Sequence, residues 1–101
     1  MRVLVMFDLP VTTASQRREY TRFRKFLIKN GYLMLQESVY TKLVQNNQAA
    51  DWAIRNLYKN RPEEGLIQAL KVTEKQYSKM EYITGESKSD VIDSDERIIF
   101  L

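Results

Sequence analysis

An α+β sandwich is the architecture that this 101-residue sequence predicts, and three observations predict it. An unbroken apolar, β-branched run opens the chain at residues 3–7. Two segments, residues 15–30 and 46–59, repeat their apolar side chains at helical spacing. Strand-like stretches separate and follow them, so the order along the chain is strand, helix, strand, strand, helix, strand.

Each element has its own signal. Residues 2–9 read as a central strand because Val3, Leu4, Val5, Met6 and Phe7 are apolar without a break and Pro10 closes the run behind Asp8. Thr13 followed three residues later by Gln16 fits a capping box, which starts the first helix, and Gly31 stands at its expected C′ position. Residues 32–36 and 38–44 are strand-like with Gln36 and Glu37 between them, a pattern that suits either a hairpin or one long bent strand. Asn46 and Asn47 are caps for a second helix whose Ala50, Ala53, Ile54 and Leu57 share one face. After a loop at 60–65, residues 66–72 alternate as a further strand. Residues 73–80 are polar and read as a turn or short helix, and residues 81–85 read as a short strand. This is the split β-α-β order of a ferredoxin-like β-α-β-β-α-β sandwich, two helices on one face of an antiparallel sheet, with an additional C-terminal strand. The chain divides into that domain at 1–85 and an acidic linker with an apolar tail at 86–101, where Glu86, Asp90, Asp93, Asp95 and Glu96 outnumber Lys88 and Arg97.

Composition excludes whole classes of chemistry. With no cysteine and no histidine, the chain has no disulfide scaffold, Cys/His zinc site, cysteine nucleophile or Ser-His-Asp triad. Hydrolysis would therefore need carboxylates and a metal. The longest apolar run is too short for a membrane helix, so the expectation is a soluble, cytoplasmic protein without a membrane partner. The net charge of +3 conceals a polarity. Residues 1–50 hold eight basic and three acidic side chains, whereas residues 51–101 hold eight basic and ten acidic ones. A basic half in a small domain points to a polyanion, and nucleic acid suits it better than a membrane surface.

That charge is concentrated on the first helix. At 100° per residue from Tyr20, the core face centres near 300° and Arg18, Arg22, Lys25 and Lys29 fall between about 140° and 200°, with Arg17 and Arg24 read as flanking them. Only Glu19 opposes these six cations, although like charges four residues apart repel by a few tenths of a kcal/mol. A stripe of about 16 Å can follow a phosphate backbone without reading bases. Asp8 is the second candidate: at the end of an apolar strand its carboxylate can meet solvent or a metal, or serve an Asx turn or helix cap. Magnesium often takes only one or two protein carboxylates, so two copies of Asp8 across a dimer axis would suffice. Ser38, Tyr40 and Tyr32 are weaker candidates for phosphate or base contacts. Trp52 is either a protein-interface residue or packed beneath the neighbouring loop. Ile98, Ile99, Phe100 and Leu101 form an apolar terminus expected to pair as an edge strand, with another chain favoured over its own.

The opening strand through Asp8-Leu9-Pro10, the helix from Arg17-Arg18-Glu19-Tyr20 to Phe26-Leu27, the strand Gln36-Glu37-Ser38-Val39-Tyr40 and the stretch Thr73-Glu74-Lys75-Gln76-Tyr77 together resemble the small second CRISPR-associated protein family. This is the ferredoxin-fold subunit of the spacer-acquisition machinery, and the stretch at 73–77 is most similar to members accompanying single-effector, type II systems. The resemblance implies a homodimer clamped by the larger CRISPR-associated integrase, holding duplex DNA for insertion into the repeat array. It also implies a magnesium-dependent endonuclease with Asp8 as metal ligand and catalytic residue, with DNA or RNA as substrate. It places basic contacts at Arg17 and Arg18 and an interface strand at 98–101. Many relatives carry tyrosine before the aspartate, where this chain has Phe7. Two readings follow: a metal-dependent phosphodiesterase, or a purely structural DNA-binding scaffold whose larger partner does the chemistry.

Overall fold

The computed structural model describes residues 1–86. Strands β1 (Arg2–Asp8), β2 (Leu33–Gln36), β3 (Val39–Leu43) and β4 (Leu66–Val72) form one sheet in the order β2-β3-β1-β4. Every neighbouring pair is antiparallel. The apolar opening strand lies in the middle, with Val5 opposite Tyr40 on one side and Ala69 on the other. Helices α1 (Ala14–Lys29) and α2 (Asn47–Asn60) cover one face, and the expected α+β ferredoxin-like sandwich is present.

Strand alternation decides which side chains the helices bury. Val3, Val5 and Phe7 face the helices and form one core with Phe23 and Leu27 of α1 and Ala50, Ala53 and Leu57 of α2. Phe7 is the hub: its ring stacks on Tyr40 at 5.7 Å and meets Phe23 edge-on at 5.4 Å. Burying a side chain such as Phe23 or Leu27 contributes about 1.5–3 kcal/mol. Arg2, Leu4, Met6 and Asp8 alternate to the opposite face, which neither α1 nor α2 covers. There Leu4 lies between Thr41 and Leu70, and Asp8 opposite Leu66. Leu33, Leu43, Leu66 and Leu70 keep more than half their surface in water on that face.

The element ends follow local chemistry. Thr13 caps α1 through the expected box: its Oγ1 accepts from the Gln16 N–H at 3.1 Å, and Gln16 Oε1 accepts from the Thr13 N–H at 3.0 Å. Gly31 then takes φ +88°, a left-handed conformation that side chains disfavour. Asn46 caps α2 by accepting from the Ala49 N–H at 2.8 Å. The stretch around Gln36 and Glu37 is a hairpin turn, with a register shift between Met34 and Gln36, not a bend in one long strand. Residues 74–78 form the short helix α3 (Glu74–Ser78), capped by Thr73.

The expected strand at residues 81–85 does not form: this segment has no ladder partner among the described residues. It leaves α3 and borders a cleft beside the hairpin turn, lined by Leu35, Gln36 and Glu37, and Gly85 at φ +91° breaks its extended path. The additional C-terminal strand and the tail of Ile98, Ile99, Phe100 and Leu101 lie outside the described residues, as does the linker beyond Glu86.

Candidate nucleic-acid interface and carboxylate site

The capping box fixes where α1 begins, and Phe23 and Leu27 fix which way it faces, so the cations are turned outward. The six do not act as one set. Arg18, Lys25 and Lys29 are exposed, and none makes a hydrogen bond or ion pair with the described residues. Arg22 grips Glu19, Nη2 to Oε1 at 3.0 Å and Nε to Oε2 at 3.2 Å, and also donates to the Asn60 carbonyl at 3.0 Å. That hydrogen bond, with the fields of Arg22 and Arg18, holds the Glu19 carboxyl below the ordinary carboxylate range.

Arg17 and Arg24 are not part of the stripe. Arg17 Nη1 bends back to the carbonyls of Val11 and Thr12, at 3.2 and 2.9 Å, where it ties down the loop before the helix. Arg24 Nε donates to Tyr40 Oη at 2.9 Å, and this bond pushes the guanidinium pKa further up. The reason is angular: at 100° per residue both stand about 100° or more from the stripe's centre, on its flank, although Arg17 still borders the shallow groove lined by Arg18, Arg22 and Lys25. The free cationic surface is therefore Arg18, Lys25 and Lys29, with Arg22 half committed.

Asp8 lies exposed at the end of β1, on the face away from the helices. Its carboxylate makes no hydrogen bond or ion pair with the described residues, and Thr13 performs the capping that Asp8 was one candidate to perform. The loop after α2 presses against its backbone: a Cβ on Gly65, at φ +100°, would sit 2.8 Å from the Asp8 carbonyl oxygen and 2.6 Å from Leu9 Cδ2. No group of three or more carboxylates suited to a metal exists among the described residues. Asp8 offers one carboxylate of the kind magnesium takes, so the fit within one chain is partial. Asp8 and the α1 stripe stand on opposite sides of the sheet.

The remaining candidates separate cleanly. Tyr40 is fully buried under Phe7, and Tyr32 is 3% exposed, so neither can stack on a base. Burial pushes the Tyr32 phenol up to about 12, and its hydroxyl has no partner among the described residues. Trp52 is 60% exposed on the outer side of α2, not packed under a loop. Arg55 and Lys59 lie one and two turns further along α2, and their spacing becomes meaningful only because Trp52 faces outward. No helix among the described residues is long and apolar enough to cross a membrane.

Fold and site together define a small ferredoxin-like domain with a cationic helix on one side of the sheet and, on the other, the exposed carboxylate of Asp8, unpaired among the described residues. The family model for "CRISPR associated protein Cas2" matches residues 1–80, and the chain belongs to that family. It is 54% identical to a protein of Treponema denticola over the full length of both chains. It is 46% identical to one of Streptococcus mutans, covering all of this chain and 93% of that one, and 41% identical to one of Ligilactobacillus salivarius over the full length of both. All three are named CRISPR-associated endoribonuclease Cas2. These names support a CRISPR role and nuclease chemistry in general.

Proposed function

We propose that the chain works in CRISPR adaptation as a homodimer that, with the larger CRISPR-associated integrase, holds duplex DNA across its helical layer. The observation that supports this most directly is the row of Arg18, Lys25 and Lys29, exposed and without partners among the described residues. A solvated helix normally sets acids among its bases, and here the one acid, Glu19, is spent on Arg22. The apolar open face, with Leu33, Leu43, Leu66 and Leu70 in water, supports a second copy packing there. Such packing would bring two Asp8 carboxylates toward one axis, and the apolar tail at 98–101 would pair with an edge strand of another chain.

A second activity rests on Asp8, exposed and unpaired: magnesium-dependent phosphodiester hydrolysis, for which RNA is favoured as substrate by the names of the relatives. A magnesium ion shared by two Asp8 carboxylates would offset phosphate charge and acidify a bound water. The chain's own part is to hold the Asp8 carboxylate in place, with Gly65 letting the neighbouring loop close against its backbone.

Three or four phosphate contacts per protomer predict, for a dimer, a log-log salt slope of about −5 to −7 in duplex binding. A slope shallower than about −3, or unchanged binding by Arg18→Glu/Lys25→Glu, would count against the stripe. Asp8→Ala separates the two activities: cleavage should vanish while duplex binding persists, and unaltered cleavage would leave only the scaffold.

A further inference from the structure

The outward face of α2 carries chemistry that duplex binding by α1 leaves unused. Opposite the buried Ala50, Ala53 and Leu57, the helix presents Gln48, Trp52, Arg55 and Lys59, spaced at i, i+4, i+7 and i+11. Trp52 is the chain's single tryptophan and is 60% exposed. Arg55 and Lys59 are exposed and make no hydrogen bond or ion pair with the described residues. The acid beside Trp52 does not neutralise them: Asp51 is held by Lys71 Nζ of β4 at 2.7 Å. An indole left in water beside two unpaired cations, on a face with no free acid among the described residues, is complementary to a flat, anionic partner.

This face is continuous with the α1 stripe. The two helices leave β1 and β3, which run in opposite directions, so they lie antiparallel over the same side of the sheet. Arg22 Nη2 joins them by donating to the carbonyl of Asn60, at the end of α2. From that junction Lys29 lies about 10 Å onward along α1 and Trp52 a similar distance back along α2 from Lys59. The indole is therefore level with the far end of the α1 stripe.

We propose that α2 is a stacking platform for an unpaired base: Trp52 stacks on the base, and Arg55 and Lys59 bind the adjoining phosphates. A closed duplex buries its base faces and offers Trp52 nothing. A single strand, or the open end of a duplex, offers both a base face and phosphates. The ligand is accordingly single-stranded or frayed nucleic acid, bound without regard to sequence, because every base has a face to stack. This inference rests on the nucleic-acid reading of α1 and extends it from phosphates to bases.

Trp52 reports on its own occupancy, since no other tryptophan contributes. The full chain is titrated with an end-labelled oligothymidylate of about twelve nucleotides and with a relaxed, closed circular duplex that has neither end nor loop, following indole emission for both, label anisotropy for the strand and filter retention for the circle. The single strand should change Trp52 emission, and Trp52→Ala should weaken its binding about tenfold, the scale of one stacked base. Circle binding should change less than about twofold, and Trp52→Phe should restore most single-strand affinity. Unchanged emission on saturation with the strand, or equal losses for strand and circle in Trp52→Ala, overturns the platform and leaves the α1 stripe standing. Failure of both probes to bind the wild-type chain overturns the α1 reading and this one with it. Full strand affinity in Trp52→Ala with loss of assembly onto a protein also overturns the platform, by assigning the surface to that protein.

Discussion

The two faces of the sheet are built from alternate residues of the same strands, yet they differ in nearly every respect. One is closed by α1 and α2, and its outer surface is cationic. The other is open, apolar and carries the exposed carboxylate of Asp8. A single phosphate on one protomer cannot lie against both Lys25 and Asp8, because the sheet stands between them. Under the proposed function, holding nucleic acid and cutting it would be separate tasks for this fold, and removing one should leave the other.

The largest test of that separation is Asp8→Asn. Phosphodiester cleavage in magnesium should fall by roughly 100-fold or more, the scale for losing a group that stabilises transition-state charge, while duplex affinity stays within about twofold. Parallel losses in the two assays would show the faces to be coupled. Gly65→Ala comes next. Its methyl collides with the Asp8 carbonyl and Leu9 at a positive φ, so denaturant unfolding should show a loss of about 2 kcal/mol.

The triple change Arg18→Ala/Lys25→Ala/Lys29→Ala should make the salt slope shallower by about 2.7 per protomer, measured by anisotropy at several salt concentrations, with the melting temperature nearly unchanged. The smallest effect belongs to Tyr32. Above pH 10 the unfolded chain loses its phenolic proton while the folded chain keeps it until about 12, so stability is full below 10 and declines between those values. Tyr32→Phe should flatten that decline in an unfolding series against pH, and shift stability at neutral pH by less than about 1 kcal/mol.

Most of the fold was legible because its signals are local. The Thr13–Gln16 box, Asn46, Gly31 and the alternation over residues 66–72 each act within a turn or two, and the elements stand within a residue or so of where those signals put them. Residues 81–85 misled because their β-prone composition is also local, whereas a strand exists only if a partner's backbone comes within reach. The stripe was legible as an arc of charge but not as a set of free charges. Whether Arg24 points to solvent or to Tyr40 depends on a residue sixteen positions away on another element. Asp8 was legible as a carboxylate at a strand end, and the register of β1 against β4 was needed to show that it faces away from the stripe.

The first two residues of the chain and α3 meet at one corner of the sheet. Arg2 Nε is 2.8 Å from Glu74 Oε2, its guanidinium lies 4.2 Å over the Tyr77 ring, and the terminal amine of Met1 is 4.0 Å from the same carboxylate. An affinity handle fused ahead of Met1 would abolish that amine's charge and crowd α3, the element from which residues 79–86 depart. A handle ahead of Met1 is thus not neutral here: it alters the launching point of residues 79–86.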